Sequence, residues 1–197
     1  MVIVMSKTVN IMLAGVGGQG VLLASEVISK AALQEGYDVK KSEVHGMAQR
    51  GGSVVSNVRY GRKVYSPLIA EGEADILLAF EKLEALRWIN YLKPSGKVIT
   101  NTQRIDPLTV ATGKKEYPQD VLSALKNTGH KIVNLDALNA ARDAGSQKAI
   151  NTVLIGALVN YTDIKKDVFQ EVIKESVPPK TVEINNKAFQ KGLKLGN

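Results

Sequence analysis

The sequence predicts an α/β fold: a mostly parallel sheet with helices on both faces, one β-hairpin insertion and a helical C-terminal third. Three observations lead there. Short apolar runs at residues 9–14, 76–80 and 131–135 alternate with stretches whose apolar residues recur at helical spacing. Glycine or proline punctuates most of the changeovers. After residue 135 the period stays helical, with no further strand-like run.

Taken in order, residues 9–14 read as a buried strand. From 21 to 34, Leu23, Val27 and Ala31 recur every fourth residue and Gly36 supplies a stop, which describes a helix. Residues 37–41 suit a second, short strand. The alternating stretch 53–60 turns at Gly61-Arg62 and returns through 63–66, the pattern of a hairpin. The unbroken apolar run 76–80 suits a central parallel strand buried on both faces. Leu83, Leu86 and Ile89 mark a helix stopped near Pro94-Ser95-Gly96, and 97–101 is the next strand. Residues 102–117, with Pro107 and Gly113, have no period and read as an irregular excursion. A helix over 118–127, proline in its first turn, ends at Gly129 and is followed by a strand at 131–135. Helices over 136–144, 147–161, 165–175 and 181–195 complete the chain. The arrangement is Rossmann-like, and with no linker or repeat it predicts one domain over 1–197.

Composition narrows the chemistry. There is no cysteine, which excludes disulfides, thiolate nucleophiles and cysteine-held iron–sulfur clusters in this chain. The two histidines, His45 and His130, lack any partner at metal-ligand spacing, so no metal site is expected. No apolar run approaches the roughly 18 residues of a membrane span. Residues 1–5 are too short for a signal sequence, so a cytoplasmic location is expected. The net charge of +7 is spread over scattered lysines with few aromatics to stack bases. That balance suits a solvated surface, an anionic small ligand or an acidic partner, and not nucleic acid.

Seven of the 17 glycines fall in two segments, 15–20 and 46–52. The first, Gly15-Val16-Gly17-Gly18-Gln19-Gly20, stands where a strand hands over to a helix N-terminus, whose free N–H groups attract anions. Its Gly-x-Gly-x-x-Gly spacing matches the dinucleotide fingerprint, but no acid ends the second strand to hold a ribose. As a phosphate loop it lacks the lysine and hydroxyl that should follow Gly20. A bare packing turn is the bland reading; Gly18 and the Gln19 amide favour a bound anion. The second segment supplies His45, Gln49 and Arg50 beside Gly51 and Gly52. An imidazole, an amide and a planar guanidinium suit a ligand contact or a subunit contact about equally, and no catalytic residue is assigned.

The segments 15–26 and 42–54 together resemble the gamma-domain family of 2-oxoacid:ferredoxin oxidoreductases. Within it, His45-Gly46-Met47-Ala48-Gln49-Arg50-Gly51-Gly52 points to the indolepyruvate-type beta subunits. Similarity continues through 65–69, 71–75 and 81–87 and returns at 151–159. The resemblance implies an accessory subunit, enzymatic only within a complex and inactive alone. A partner alpha subunit would hold thiamine diphosphate and iron–sulfur clusters and pass electrons to ferredoxin. Coenzyme A would be the co-substrate, and no cofactor would be held by this chain alone. It also implies a role in binding coenzyme A or shaping the active-site mouth for Gly17, Gly18, Gln19, Gly20, Gln49, Arg50 and Gly51. Two other readings compete: a stand-alone NAD(P)-dependent dehydrogenase, for which Lys40 and Lys41 could meet a 2′-phosphate, and a basic nucleic-acid module.

Overall fold

The structure, a computed structural model, describes residues 8–45 and 52–197. Strand β1 (Val9–Val16) sits inside the sheet because both its faces are apolar: Ile11 and Leu13 pack one way, Met12 and Ala14 the other. After it come α1 (Val21–Gln34), β2 (Asp38–His45), β3 (Ser53–Gly61), β4 (Ala74–Ala79), α2 (Lys82–Arg87) and β5 (Leu92–Asn101). The single turn α3 (Leu108–Ala111), α4 (Val121–Asn127), β6 (Lys131–Leu135) and α5 (Ala137–Ala144) follow. Helices α6 (Ile150–Val159), α7 (Lys166–Ser176) and α8 (Val182–Leu195) end the chain. The strands lie in the order β2-β3-β1-β4-β5-β6. From β1 to β6 each pairing is parallel, whereas β3 is antiparallel to both its neighbours.

The two faces carry separate cores. On one, Ile11, Leu13, Ile76 and Leu78 meet α1 and α5 to α8; on the other, Met12, Leu77 and Val98 meet α2 and α4. Strand residues alternate between faces, so an unbroken apolar run such as that in β4 is what a doubly covered strand needs. Helices on both faces and the helical last third are therefore as the sequence predicts.

Three elements differ in detail. The hairpin is formed by β2 and β3, not by residues 53–60 and 63–66. Strand β2 runs on to His45, opposite Val54, although Lys40 to Glu43 look too polar for a sheet. As an edge strand it tolerates them: Lys41 reaches Glu26 on α1 at 2.7 Å and Glu43 at 3.0 Å. Segment 63–66 does not pair as a strand; the Asp38 carboxylate accepts the Val64 N–H at 3.0 Å and holds it beside the edge. Second, Pro94-Ser95-Gly96 is no helix stop. It is an irregularity inside β5, between the pairs Ala74↔Leu92 and Ile76↔Lys97, where the lost ladder donor of proline is harmless. Third, the excursion 102–117 contains the short α3 and is pinned by buried Glu81, whose Oε1 accepts Tyr117 OH at 2.6 Å.

The far edge is tied to the C-terminal helices. Asp163, between α6 and α7, accepts the hydroxyls of Tyr37 at 2.6 Å and Tyr60 at 2.9 Å. Burial, then this carboxylate, pushes the Tyr37 hydroxyl up to about 12. Among the described residues no helix is long and apolar enough to cross a membrane.

Candidate functional site

Strand β1 feeds α1 onto one face of the sheet and β4 feeds α2 onto the other. Their C-terminal loops part, and a crevice opens where such sheets hold ligands. The loop after β1 is shaped by two glycines in the left-handed region, Gly18 at φ +97° and Gly20 at φ +82°. Gly20 is the N-cap of α1 and brings no capping side chain, and no acidic residue stands in the first turn. The Ala24 N–H is bonded to the Gly20 carbonyl at 3.0 Å, so the amides of Val21 to Leu23 lie ahead of it at the open helix end. A cleft of about 360 Å³ lies against them, lined by Val16, Gly17, Gly18, Gly20, Val21, Leu22 and Val54, with no carboxylate. Such an end favours an anion through directed N–H groups and the helix dipole.

The two glycine segments meet here. The Gly17 N–H donates to the Gly52 carbonyl at 2.9 Å, closing the exit of the β2–β3 loop onto the entrance of the glycine turn. Ser53 secures the same point by donating to Glu84 Oε2 at 2.5 Å, and Arg87 holds that buried carboxylate from the other side at 3.1 Å. Residues 46–51 run between His45 and this junction; Gln49, Arg50 and Gly51 lie outside the described residues. His45 ends β2 in register with Val54, one of the cleft-lining residues.

Not every glycine faces the cleft. A Cβ on Gly15 would lie 2.7 Å from Val21 Cγ2 and 2.9 Å from Phe80 Cβ, so this residue lets β1, β4 and α1 approach each other. The Gln19 amide is occupied too. Its Oε1 accepts the Val16 N–H at 2.8 Å and its Nε2 donates to the Phe80 carbonyl at 2.9 Å. It therefore braces β1 against β4, and its amide is not free to meet a ligand.

Sequence reasoning missed the other half of that brace. Asn101 is fully buried at the end of β5; its Nδ2 donates to the same Phe80 carbonyl at 3.3 Å, and its Oδ1 accepts the Ala137 N–H at 3.2 Å. The signal was an amide closing the apolar run Val98-Ile99-Thr100. Two amides on one carbonyl hold the C-terminal ends of β1, β4 and β5 at fixed spacing.

Comparison with known proteins places this geometry. The model of the family "Pyruvate ferredoxin/flavodoxin oxidoreductase" matches residues 10–195. The chain belongs to that family. Within the pyruvate ferredoxin/flavodoxin oxidoreductases, it is 45% identical over 193 residues to the indolepyruvate oxidoreductase subunit IorB of Thermococcus kodakarensis, covering 95% of this chain and 96% of that one. It is 35% identical over 196 residues to the 2-oxoglutarate synthase subunit KorC of Methanothermobacter thermautotrophicus, covering 94% of each. Among solved structures, the gamma subunit of a keto/oxoacid ferredoxin oxidoreductase from Geobacter sulfurreducens aligns with a TM-score of 0.72 at 26% identity, over 95% of this chain and 98% of that one. The α/β fold described above is thus shared with that gamma subunit.

Proposed function

We propose that this chain is the small accessory subunit of a 2-oxoacid:ferredoxin oxidoreductase acting on aryl 2-oxoacids such as indolepyruvate. The complex converts oxoacid and coenzyme A to acyl-CoA and carbon dioxide while ferredoxin is reduced. Decarboxylation needs the electron sink of thiamine diphosphate, and electron transfer needs clusters held by cysteine. A chain without cysteine leaves the clusters to a larger alpha subunit, and thiamine diphosphate goes with them. What this subunit contributes is the crevice, over its whole single gamma-type domain. The observation that carries this role is the Gly17–Gly52 bond, which joins both glycine segments into one rim. The residues fit a phosphate of coenzyme A: an uncapped helix end, a lining without carboxylates and, among the described residues, no heavy atom within 4 Å of a Cβ position on Gly18. Backbone amides there orient the anion; Gln19 and Asn101 keep the rim from spreading. We assign His45, Gln49, Arg50, Gly51 and Gly52 to contact with coenzyme A or the partner subunit; of these, Gly52 stands at the rim.

A nicotinamide dehydrogenase is disfavoured by topology. The strand beside β1 on the α1 side is antiparallel β3, so β2 lies one strand spacing, about 4.8 Å, beyond where a ribose-binding acid should end.

Purified alone, the chain should reduce no acceptor with any 2-oxoacid, coenzyme A and thiamine diphosphate. Co-purification from its native source should recover a large, cysteine-rich, thiamine-dependent partner, and mixing the two should restore turnover. Steady turnover by the partner-free chain sinks this proposal.

The cleft is tested separately by Gly18→Val. A branched side chain at φ +97° brings strain of about 1–3 kcal/mol and stands over the amides. Gly129→Val is its control, with φ +80° and open space around it, just before β6 at the opposite edge of the sheet. Loss of one charge-assisted bond predicts about a tenfold higher Kd for coenzyme A in the complex for Gly18→Val alone. Equal calorimetric affinities for the two variants would make the turn a packing device.

A further inference from the structure

Strand β2 stands at the edge of the sheet and, among the described residues, is bonded along its length only to β3. It has eight residues, and Val44 on it is 60% exposed. An edge of this length offers its free backbone groups to another strand. We propose that it pairs antiparallel with β2 of a second copy of this chain, about a two-fold axis at Ser42, so that the two sheets become one.

The phase of the backbone comes first. The Ser42 carbonyl faces β3, where it accepts the Ser56 hydroxyl at 3.1 Å. Backbone groups of an antiparallel strand point alternately to one side and the other, so those of Val39, Lys41, Glu43 and His45 face outward. None of these outward groups bonds to a described residue. A two-fold axis normal to the sheet keeps the same face of each copy on the same side, so odd-numbered residues must pair with odd. Charge then selects the register. Centred on Lys41, the pairing sets lysine against lysine; centred on Glu43, it sets glutamate against glutamate. Centred on Ser42, it places Lys41 of each copy opposite Glu43 of the other. Within one copy these two side chains already lie on the same face, 3.0 Å apart, so the charges of the pair of strands alternate in sign. Residues 39–45 pair throughout, and Lys40 comes opposite Val44, whose exposed side chain its aliphatic stem covers. Segment 63–66 is held at Asp38, one residue before the paired stretch begins. The other edge has no such match, since β6 has five residues and its one charged side chain is Lys131.

The full chain lacks cysteine, so one introduced thiol reports the register without background. Ser42→Cys should cross-link to its own copy under mild oxidation. Cα atoms of a close antiparallel pair stand about 4.5 Å apart, within disulfide reach. Lys40→Cys, set opposite Val44, should not cross-link. Sedimentation of the full chain, without its larger partner, should show a dimer. Glu43→Lys and Lys41→Glu should each raise the dimer Kd at least about tenfold, because like charges then face each other on both sides of the axis. An equimolar mixture of these two variants should dimerise again as heterodimers, each lysine regaining a glutamate opposite. Restored pairing also shows that both variants are folded. The proposal is overturned if the chain sediments as a monomer at every concentration, or if both charge variants dimerise as well as wild type. A mixture of folded variants that stays monomeric overturns it too, as does Lys40→Cys cross-linking as readily as Ser42→Cys.

Discussion

Gly192→Ala should lower the melting temperature of this chain, although alanine is the better helix former by about 1 kcal/mol. The reason lies in how α8 crosses α6. A Cβ on Gly192 would collide with the Val153 carbonyl oxygen and stand 2.9 Å from its carbon; one on Gly156 would collide with the Phe189 carbonyl and lie 3.0 Å from Leu193 N. These are backbone atoms, so no rotamer change relieves the contact; the helices themselves must separate. Separation opens the core in which Phe189, Val153 and Leu158 are fully buried. Overpacking of this kind costs about 1–3 kcal/mol for a methyl-sized intrusion and more for a larger one. Gly192→Leu should therefore destabilise by about 3 kcal/mol or more, a fall of roughly 6–12 °C in Tm for a chain of this size. Calorimetry on both variants checks the order wild type, alanine, leucine. A Gly192→Ala protein that melts higher than wild type would show that the helices cross with room to spare.

How much of this was legible beforehand depends on what each residue reports. The runs in β1 and β4 announce strands buried on both faces because burial imposes that pattern directly; in α1 the buried face is Ala24, Val27, Ile28 and Ala31, so Val27 and Ala31 of the fourfold spacing report it while Leu23 is exposed. Edge strand β2 was shortened because Lys40, Lys41 and Glu43 are polar for reasons that lie across the sheet, in Glu26 and in solvent. Segment 63–66 looked like a return strand because the Asp38 bond that diverts it spans residues 38 and 64. At the site, the glycines were readable from their spacing and the helix start after them. Asn101, Ser53 and Glu84 were not, since the bonds that matter here, Asn101 to Phe80 and Ala137 and Ser53 to Glu84, join residues distant in sequence. The same holds for Gln19: an amide in a glycine loop suggests a ligand contact until its two bonds to Val16 and Phe80 are seen.

Asn101→Leu should cost about 3 kcal/mol, far more than its similar volume suggests. The Ala137 N–H would lose its acceptor and the Phe80 carbonyl one of its two donors, in a place where Asn101 has no exposure at all. An orphaned buried group costs about 1–3 kcal/mol, and leucine supplies no replacement. Gln19→Leu removes the other donor to Phe80 but sits at the partly open rim, so alone it should cost less, about 1 kcal/mol. The decisive measurement is the double variant. With both amides gone the Phe80 carbonyl has neither donor, so urea denaturation should show a loss exceeding the sum of the singles by at least about 0.5 kcal/mol. Strict additivity would mean that the two amides act on separate groups. The functional counterpart follows from the same geometry. Gln19→Leu lets the turn at residues 17–20 drift from β4, so in the assembled enzyme KM for coenzyme A should rise while KM for the oxoacid stays near its original value. If both Michaelis constants were unchanged while the stability coupling held, the brace would be a device of the fold alone, and the crevice beside it would have lost its claim to coenzyme A.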